Sequence, residues 1–134
     1  MTLMLLDSAS LWYRAYYGMP DTLVSPSGEP VNAIRGFIDM TARLINAYKP
    51  DRLALCLDGD WRPSWRVDIF PDYKANRAKT PDEFRSQMSY LHELVKGFGI
   101  NQFELEGFEA DDIIATITKR AEKEGAEVLI CTGD

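Results

Sequence analysis

Three apolar runs of this chain each close on an aspartate: LMLLD at Asp7, LALCLD at Asp58 and VLICTGD at Asp134. Another group of acids, Glu109, Asp111 and Asp112, stands in EGFEADDIIATI, just ahead of a run with helical apolar spacing. Carboxylates held within a few ångströms of one another repel, and burial would force several to take up protons unless cations neutralise them. With only oxygen ligands and no His or Cys beside them, the cation such a cluster selects is a hard one, Mg²⁺ or Mn²⁺ rather than zinc. Each acid also has a plainer role of its own. An acid in a first helical turn gains about 0.3–1 kcal/mol from the helix dipole, and strand-terminal aspartates start turns. What favours a metal site is that all of them fall at one end of one sheet. Successive helical residues turn by about 100°, so Glu109 and Asp112 share a face and Asp111 points away. All three converge only if Glu109 precedes the helix proper; otherwise one of them is a cap or a supporting residue.

Between Asp58 and the next helical pattern lies GDWRPSWRVDIFPDYKANRAKT, rich in Arg, Lys and aromatic residues. It reads as a loop that partly orders into a short helix. If YKANR is helical, Lys74 and Arg77 lie on one face and clamp a single phosphate, Arg77 with its planar fork and Lys74 as a point charge. Tyr73 could stack on a base. Trp61, Trp65 and Arg66 either extend that surface or pin the loop to the core, packing being the favoured reading for the two tryptophans. Asp68 and Asp72 keep the local positive balance small, so a solvated mixed-charge loop is the competing reading. Beside an acidic pocket the segment means more. Hard ions lower the pKa of a bound water and stabilise a leaving oxygen, while Lys and Arg offset charge on phosphate oxygens, which is the arrangement for phosphodiester hydrolysis.

The elements that must position these residues follow from periodicity. The three runs ending in acids read as buried strands, and INQFEL adds a further short one. NAIRGFIDMTARLINAYK carries Ile34, Phe37, Ile38, Thr41, Leu44, Ile45 and Tyr48 at helical spacing, and Lys49-Pro50 stops it. Thr80, Pro81 and Glu83 offer a capping box with proline at the first helical position, ahead of Phe84, Met88, Leu91, Val95 and Phe98. A third helix spans about Phe108 to Glu124, burying Ile113, Ile114, Ile117 and Ala121, with Gly125 as its C′ residue. Strands alternating with helices imply right-handed crossovers and a mainly parallel sheet covered on both faces. Ligands bind such sheets at the carboxyl ends of the strands, where Asp7, Asp58 and Asp134 fall.

The 134 residues are about one domain, with apolar content enough for a core. A formal net charge of −6 argues against coating nucleic acid by bulk positive potential, while leaving room for local phosphate clamps. Cys56 and Cys131 sit in apolar runs as small hydrophobes rather than a disulfide framework, which suits a reducing cytoplasm, and MTLMLLD is too short and too acidic for a membrane segment. His92, the only histidine, lies away from the acids and takes a structural or solvated role. Neither phosphate-binding glycine motif, G-x-x-x-x-G-K-[ST] or G-x-G-x-x-G, occurs.

Taken together, LLDSASLWYRAYY, LALCLDGDWRPSWR, DYKANRAKTPDEFRSQ, GFEADDIIAT and LICTGD closely resemble the 5′-nuclease superfamily, the flap endonucleases and the 5′-3′ exonuclease domain of bacterial DNA polymerase I. The similarity covers essentially the whole chain. It implies a PIN-like (resolvase-like) α/β domain that cleaves flapped, nicked or 5′-ended DNA, and RNA in primers, with two divalent ions, Mg²⁺ or Mn²⁺. By motif, Asp7, Asp58, Glu109, Asp111, Asp112 and Asp134 look like its metal-binding acids. Lys74 and Arg77 resemble the basic pair that engages the scissile phosphate from an arch-like segment, here residues 59–80. Tyr73 resembles the residue that meets the terminal nucleotide, and Arg14 and Arg66 look like further DNA contacts. In the family, TGD continues as TGDxD into more strands, more metal-binding acids and a helix-hairpin-helix module. With Asp134 as the last residue, the expectation is an N-terminal portion, truncated at the C-terminal end, with one metal site short of ligands. Two rival readings accompany this one: a compact PIN-type ribonuclease, and a nucleic-acid-binding module that grips phosphate without hydrolysis.

Overall fold

The computed structural model describes residues 1–77 and 80–133. Its elements run β1 (Thr2–Asp7), α1 (Ser8–Gly18), α2 (Asn32–Tyr48), β2 (Arg52–Leu57), α3 (Ser64–Ile69), α4 (Asp82–Gly97), β3 (Asn101–Glu104), α5 (Ala110–Lys123) and β4 (Glu127–Cys131). The four strands form one sheet in the order β3-β2-β1-β4, every pair parallel. The α/β, mainly parallel architecture read from the sequence is the one observed.

Both faces of the sheet are covered, which is why β1 and β2 are apolar at consecutive positions rather than at alternate ones. Met4, Leu6, Leu55 and Leu57 face one way, into a core built with Leu11, Trp12 and Ala15 of α1, Ala33 and Phe37 of α2, and Phe84, Leu91 and Val95 of α4. Leu5, Ala54 and Cys56 face the other way, against Ala110 and Ile114 of α5. Each buried side chain of the Leu or Phe class contributes roughly 1.5–3 kcal/mol, so the larger core dominates stability. Burial pushes the Cys56 thiol up to about 11, with nearby Asp7 adding to the effect, consistent with an inert core cysteine.

Apolar spacing does not announce α1. Its residues, SASLWYRAYYG, include several weak helix formers, and its buried face is only Ser8, Leu11, Trp12 and Ala15. Tertiary packing holds it in place. Gly36 of α2 lets the two helices touch, since a Cβ there would sit 2.9 Å from both Ala15 Cβ and Met19 Cγ.

Two expectations for α4 are corrected. The helix starts at Asp82 with Pro81 as its N-cap, so the Thr80–Glu83 capping box does not form; Thr80 Oγ1 instead pairs with Tyr13 Oη at 3.0 Å. Phe98 lies beyond the helix and is 63 % exposed. The side chain buried in its stead is polar. Gln87 Oε1 accepts the N–H groups of Ala33 (2.7 Å) and Ile34 (3.2 Å), and Gln87 Nε2 donates to Asn32 Oδ1 (2.7 Å). Asn32 Nδ2 in turn donates to the Tyr16 carbonyl at 2.9 Å. Gln87 therefore supplies partners for the first N–H groups of α2, which no helix can satisfy internally, and ties α4 to α2 and, through Asn32, to α1.

His92 has a structural place: its Nδ1 lies 3.1 Å from Gln102 Oε1, and Gln102 Nε2 donates to the His92 carbonyl, which joins α4 to β3.

Replacing Gln87 by Leu, close in size but without hydrogen-bonding groups, should cost about 2 kcal/mol, because it orphans buried N–H groups and Asn32 Oδ1. Urea unfolding measures this, and a loss below about 0.5 kcal/mol would show that the network is not structural. Gly59→Ala should be at least as damaging, since a Cβ there would lie 2.0 Å from the Leu105 carbonyl oxygen, with backbone on both sides.

Candidate active site

The sheet delivers the acids to one edge. Asp7 ends β1 and leads straight into α1; Asp58 immediately follows β2. Glu109 is the N-cap of α5, and Asp111 and Asp112 occupy that helix's first turn. Gly59 brings the loop before α5 against this edge: the N–H groups of Gly59 and Asp60 both donate to the Phe108 carbonyl, at 3.0 and 3.1 Å. Asp58 completes the link by accepting the Ala110 N–H at 2.7 Å. Asp134 lies outside the described residues.

Within that edge the acids divide. Asp7 is only 4 % exposed and accepts a hydrogen bond from Thr132 Oγ1 at 2.9 Å. Burial holds its pKa above the ordinary carboxylate range, Asp111 and Asp58 add to the rise, and Thr132 opposes it. Asp58 is raised chiefly by burial too; the Ala110 N–H and Lys74 oppose the shift, while Glu109 and Asp112 reinforce it. Asp7 and Asp111 share an open cleft with Ile114, Thr118, Ile130 and Thr132, between α5 and the β1–β4 side of the sheet. That is where strand order reverses direction, β2 lying on one side of β1 and β4 on the other, the usual ligand position in such sheets.

Glu109 and Asp112 are compensated from within the chain. Glu109, 3 % exposed, is ion-paired by Arg66 Nη1 and Lys74 Nζ, and Tyr73 Oη donates to it at 2.6 Å. Arg66 also reaches Asp112 in a forked pair, Nη2 to Oδ1 at 2.7 Å and Nη1 to Oδ2 at 3.3 Å. Asp112 Oδ2 accepts the Glu109 N–H at 3.0 Å. Burial works against ionisation of both carboxylates. The hydrogen bonds from Lys74, Tyr73 and Arg66 nevertheless hold Glu109 below its usual range, and those from Arg66 and the Glu109 backbone do the same for Asp112. Glu109 and Asp112 lie together, as their spacing gives; although Glu109 precedes the helix as its N-cap, Asp111 does not converge with them but lines the cleft with Asp7.

The basic segment differs from expectation in form. Its helix is α3, and residues 71–76 are turns rather than a helical YKANR, so Lys74 and Arg77 do not share a helix face. Lys74 has φ 54°, a left-handed backbone unusual for a residue with a side chain, and its ammonium points inward to Glu109 and to the Trp61 carbonyl at 2.7 Å. Arg77 is exposed. Arg66 is directed at the acids instead of extending a free surface, its guanidinium stacked 4.3 Å from the Trp65 ring. Trp65 packs, its Nε1 donating to the Gly107 carbonyl at 2.8 Å and its ring meeting Phe108, whereas Trp61 is 53 % exposed, with the Lys74 ammonium over its ring. Arg14 stands exposed on α1, at a cleft it shares with Leu11, Met40 and Leu129.

Two contributors carry no motif-level signal. Arg62 holds the turn in place through the Tyr73 carbonyl (Nε, 2.7 Å) and the Pro71 carbonyl (Nη2, 3.0 Å). Thr132 was reachable only as the middle of CTGD, with nothing in the sequence to pair it with Asp7.

Whether a hard dication fits is decided by these surroundings. Asp7, buried at the end of β1, and Asp58, half-buried just after the neighbouring β2, are oxygen donors raised by burial and by like charge, from Asp111 and Asp58 on Asp7 and from Glu109 and Asp112 on Asp58, and neither is ion-paired to a Lys or Arg among the described residues. They fit such an ion. Glu109 and Asp112 are already neutralised, and among the described residues no three of His, Cys, Asp and Glu are arranged to hold a metal together.

The profile of the 5′-3′ exonuclease N-terminal, resolvase-like domain matches residues 2–134. A 5′-3′ exonuclease of Mycobacterium tuberculosis is 43 % identical over 98 % of this chain and 45 % of its own length. One from Streptomyces coelicolor is 42 % identical over 98 % of this chain and 46 % of its own. DNA polymerase I of Mycobacterium bovis is 42 % identical over 99 % of this chain and 15 % of its own. The chain thus spans less than half the length of these relatives. Among solved structures, a bacteriophage T5 flap endonuclease in a pseudo-enzyme–product complex with DNA and metal ions superposes with TM-score 0.72, at 19 % identity, over all of this chain and 49 % of that one. The bacteriophage T5 5′-exonuclease with bound zinc gives 0.68, at 19 % identity, over all of this chain and 49 % of that one. With its parallel sheet, its acids at the carboxyl edge and this match from end to end, the chain belongs to the family of 5′-3′ exonuclease N-terminal, resolvase-like domains.

Proposed function

We propose that this chain carries the catalytic acidic edge of a divalent-metal-dependent 5′-3′ exonuclease or flap endonuclease acting on phosphodiester bonds of DNA. The observation that carries this reading is the pair of carboxylates at the strand ends, Asp7 buried and Asp58 half-buried, neither in an ion pair among the described residues, while Arg66 and Lys74 pair with Glu109 at the same edge. The family membership and the DNA and metal ions named for the T5 enzymes support it. The substrates would be 5′-flapped, nicked or 5′-ended duplexes, with primer RNA as a further one. Two free cysteines and DNA-processing relatives suit a cytoplasmic site of action.

Asp7 and Asp58, with Asp111 beside Asp7, would hold Mg²⁺ or Mn²⁺; Glu109, Asp112 and Asp134 complete the proposed set. Such an ion, when bound, supplies a water of lowered pKa and an electrophile for phosphate oxygens. The chain's own residues do the rest. Gly59 and the Asp58–Ala110 bond fix the edge, Lys74 and Arg77 would offer cations to the scissile phosphate, Tyr73 would meet its terminal nucleotide and Arg14 the flanking backbone, while Arg66 is held by Glu109 and Asp112.

Metal binding is expected to raise thermal stability by mass action, by about 2.7 kcal/mol at a hundredfold excess over Kd. In Asp7→Asn the shift should vanish while the metal-free chain unfolds at the same temperature or higher, because a repelled buried charge has gone. Calorimetry with and without millimolar Mn²⁺ tests this, and an unchanged shift in Asp7→Asn would remove the assignment. In the full-length protein, Arg77→Ala should slow cleavage of 5′-flapped DNA about tenfold or more through loss of a charged hydrogen bond, without moving the unfolding midpoint. A change in the midpoint equal to the change in rate would mean that Arg77 is structural.

A further inference from the structure

Glu109 is a carboxylate almost out of contact with water, and two cations of different kinds hold it. Arg66 is anchored independently of Glu109: its fork takes both oxygens of Asp112, and its plane lies on Trp65. Lys74 makes no second ion pair among the described residues, and Asp58 acts on it only through space. Its other anchor is one carbonyl, that of Trp61, and its side chain is a point charge on a flexible stem. It also stands on a left-handed backbone within a run of turns, a conformation that persists only while its surroundings hold it. Of the two cations, Lys74 is the replaceable one.

Where it stands, the ammonium has at most one of its three N–H donors left for a phosphate. It is 16 % exposed, turned inward, with Glu109 on one side and the Trp61 carbonyl on another. We propose that Lys74 is an exchangeable counter-cation: it occupies Glu109 until a divalent ion takes that carboxylate, and the displaced ammonium is then free for a substrate phosphate. The inference rests on the acidic edge being a metal site, as argued above. It makes metal loading and phosphate capture a linked pair. An ion that evicts Lys74 readies the phosphate clamp, and by reciprocity a phosphate that draws Lys74 away makes room for the ion. Arg66 stays on Asp112 throughout and acts as a positioning residue.

The test is Mn²⁺ affinity, measured by electron paramagnetic resonance on the 134-residue chain and on Lys74→Met and Arg77→Met. Arg77→Met removes the same charge from the same segment at an exposed position, so it reports the general electrostatic effect. Removing a competitor should tighten Mn²⁺ binding in Lys74→Met by about tenfold, within the usual range of coupling between sites. Arg77→Met should change it by about threefold or less, because salt screens an exposed charge. If the unsubstituted chain binds Mn²⁺ and Lys74→Met binds no more tightly than Arg77→Met, the exchange is overturned and the metal site stands. If none of the three binds Mn²⁺ at millimolar concentration, both are overturned. A measurement on the unsubstituted chain guards against misfolding of the variant: carbon-13 resonances of the lysine ε-methylenes, followed through a Mg²⁺ titration. The Lys74 signal should move to the position of solvated lysines as Mg²⁺ binds; a Lys74 signal that stays put while resonances around Asp7 shift overturns the proposal.

Discussion

A carboxylate that is 3 % exposed must be met by charge or be protonated, and the way this chain meets it at Glu109 organises everything around it. Arg66, Tyr73 and Lys74 come from a segment with little regular structure of its own, and their common attachment to Glu109 is what gives that segment a fixed place. Arg62 adds the backbone restraint at Pro71 and Tyr73. Removing the acid would release the loop. Removing the loop would leave a buried charge alone at the start of α5, beside Asp58 and within reach of its field.

The acidic edge is therefore two environments rather than one. On the α5 side, Glu109 and Asp112 are stabilised as anions by cations that belong to the protein. On the β1–β2 side, burial and neighbouring carboxylates disfavour the anions of Asp7 and Asp58, with hydrogen bonds from Thr132 and the Ala110 N–H as their main compensation. An edge built this way is electrostatically strained at Asp7 and Asp58 and satisfied at Glu109 and Asp112. Strain of this kind is characteristic of functional sites, where stability is given up for reactivity.

The α/β framework was legible because both of its signals are local. LMLLD and LALCLD carry the unbroken apolar pattern of strands buried on both faces, and Phe37, Leu91 and Ile114 recur at helical intervals. What was not legible was packing between elements distant in sequence. Helix α1 forms from residues of middling propensity because Gly36 admits it against α2. Gln87 is buried because α2 begins with N–H groups that no residue of its own can satisfy. The capping box at Thr80 failed for a related reason: Pro81 fixes the first turn one residue later, and Tyr13 claims the threonine hydroxyl.

For the site, residue types and order singled out acids that the fold brings to one edge, and the hard cation and phosphate read from them enter as the proposal above. Spacing alone put Glu109 and Asp112 on one face and turned Asp111 away from them. Which acid meets which partner was a tertiary decision. Lys74 and Arg66 turn inward because a buried carboxylate attracts them more strongly than water does, and a separation of 35 residues between Lys74 and Glu109 hides that from any local pattern. A sequence specifies charges and their periodicity. Their burial, and with it the strength of every interaction among them, exists only once the chain has closed around them.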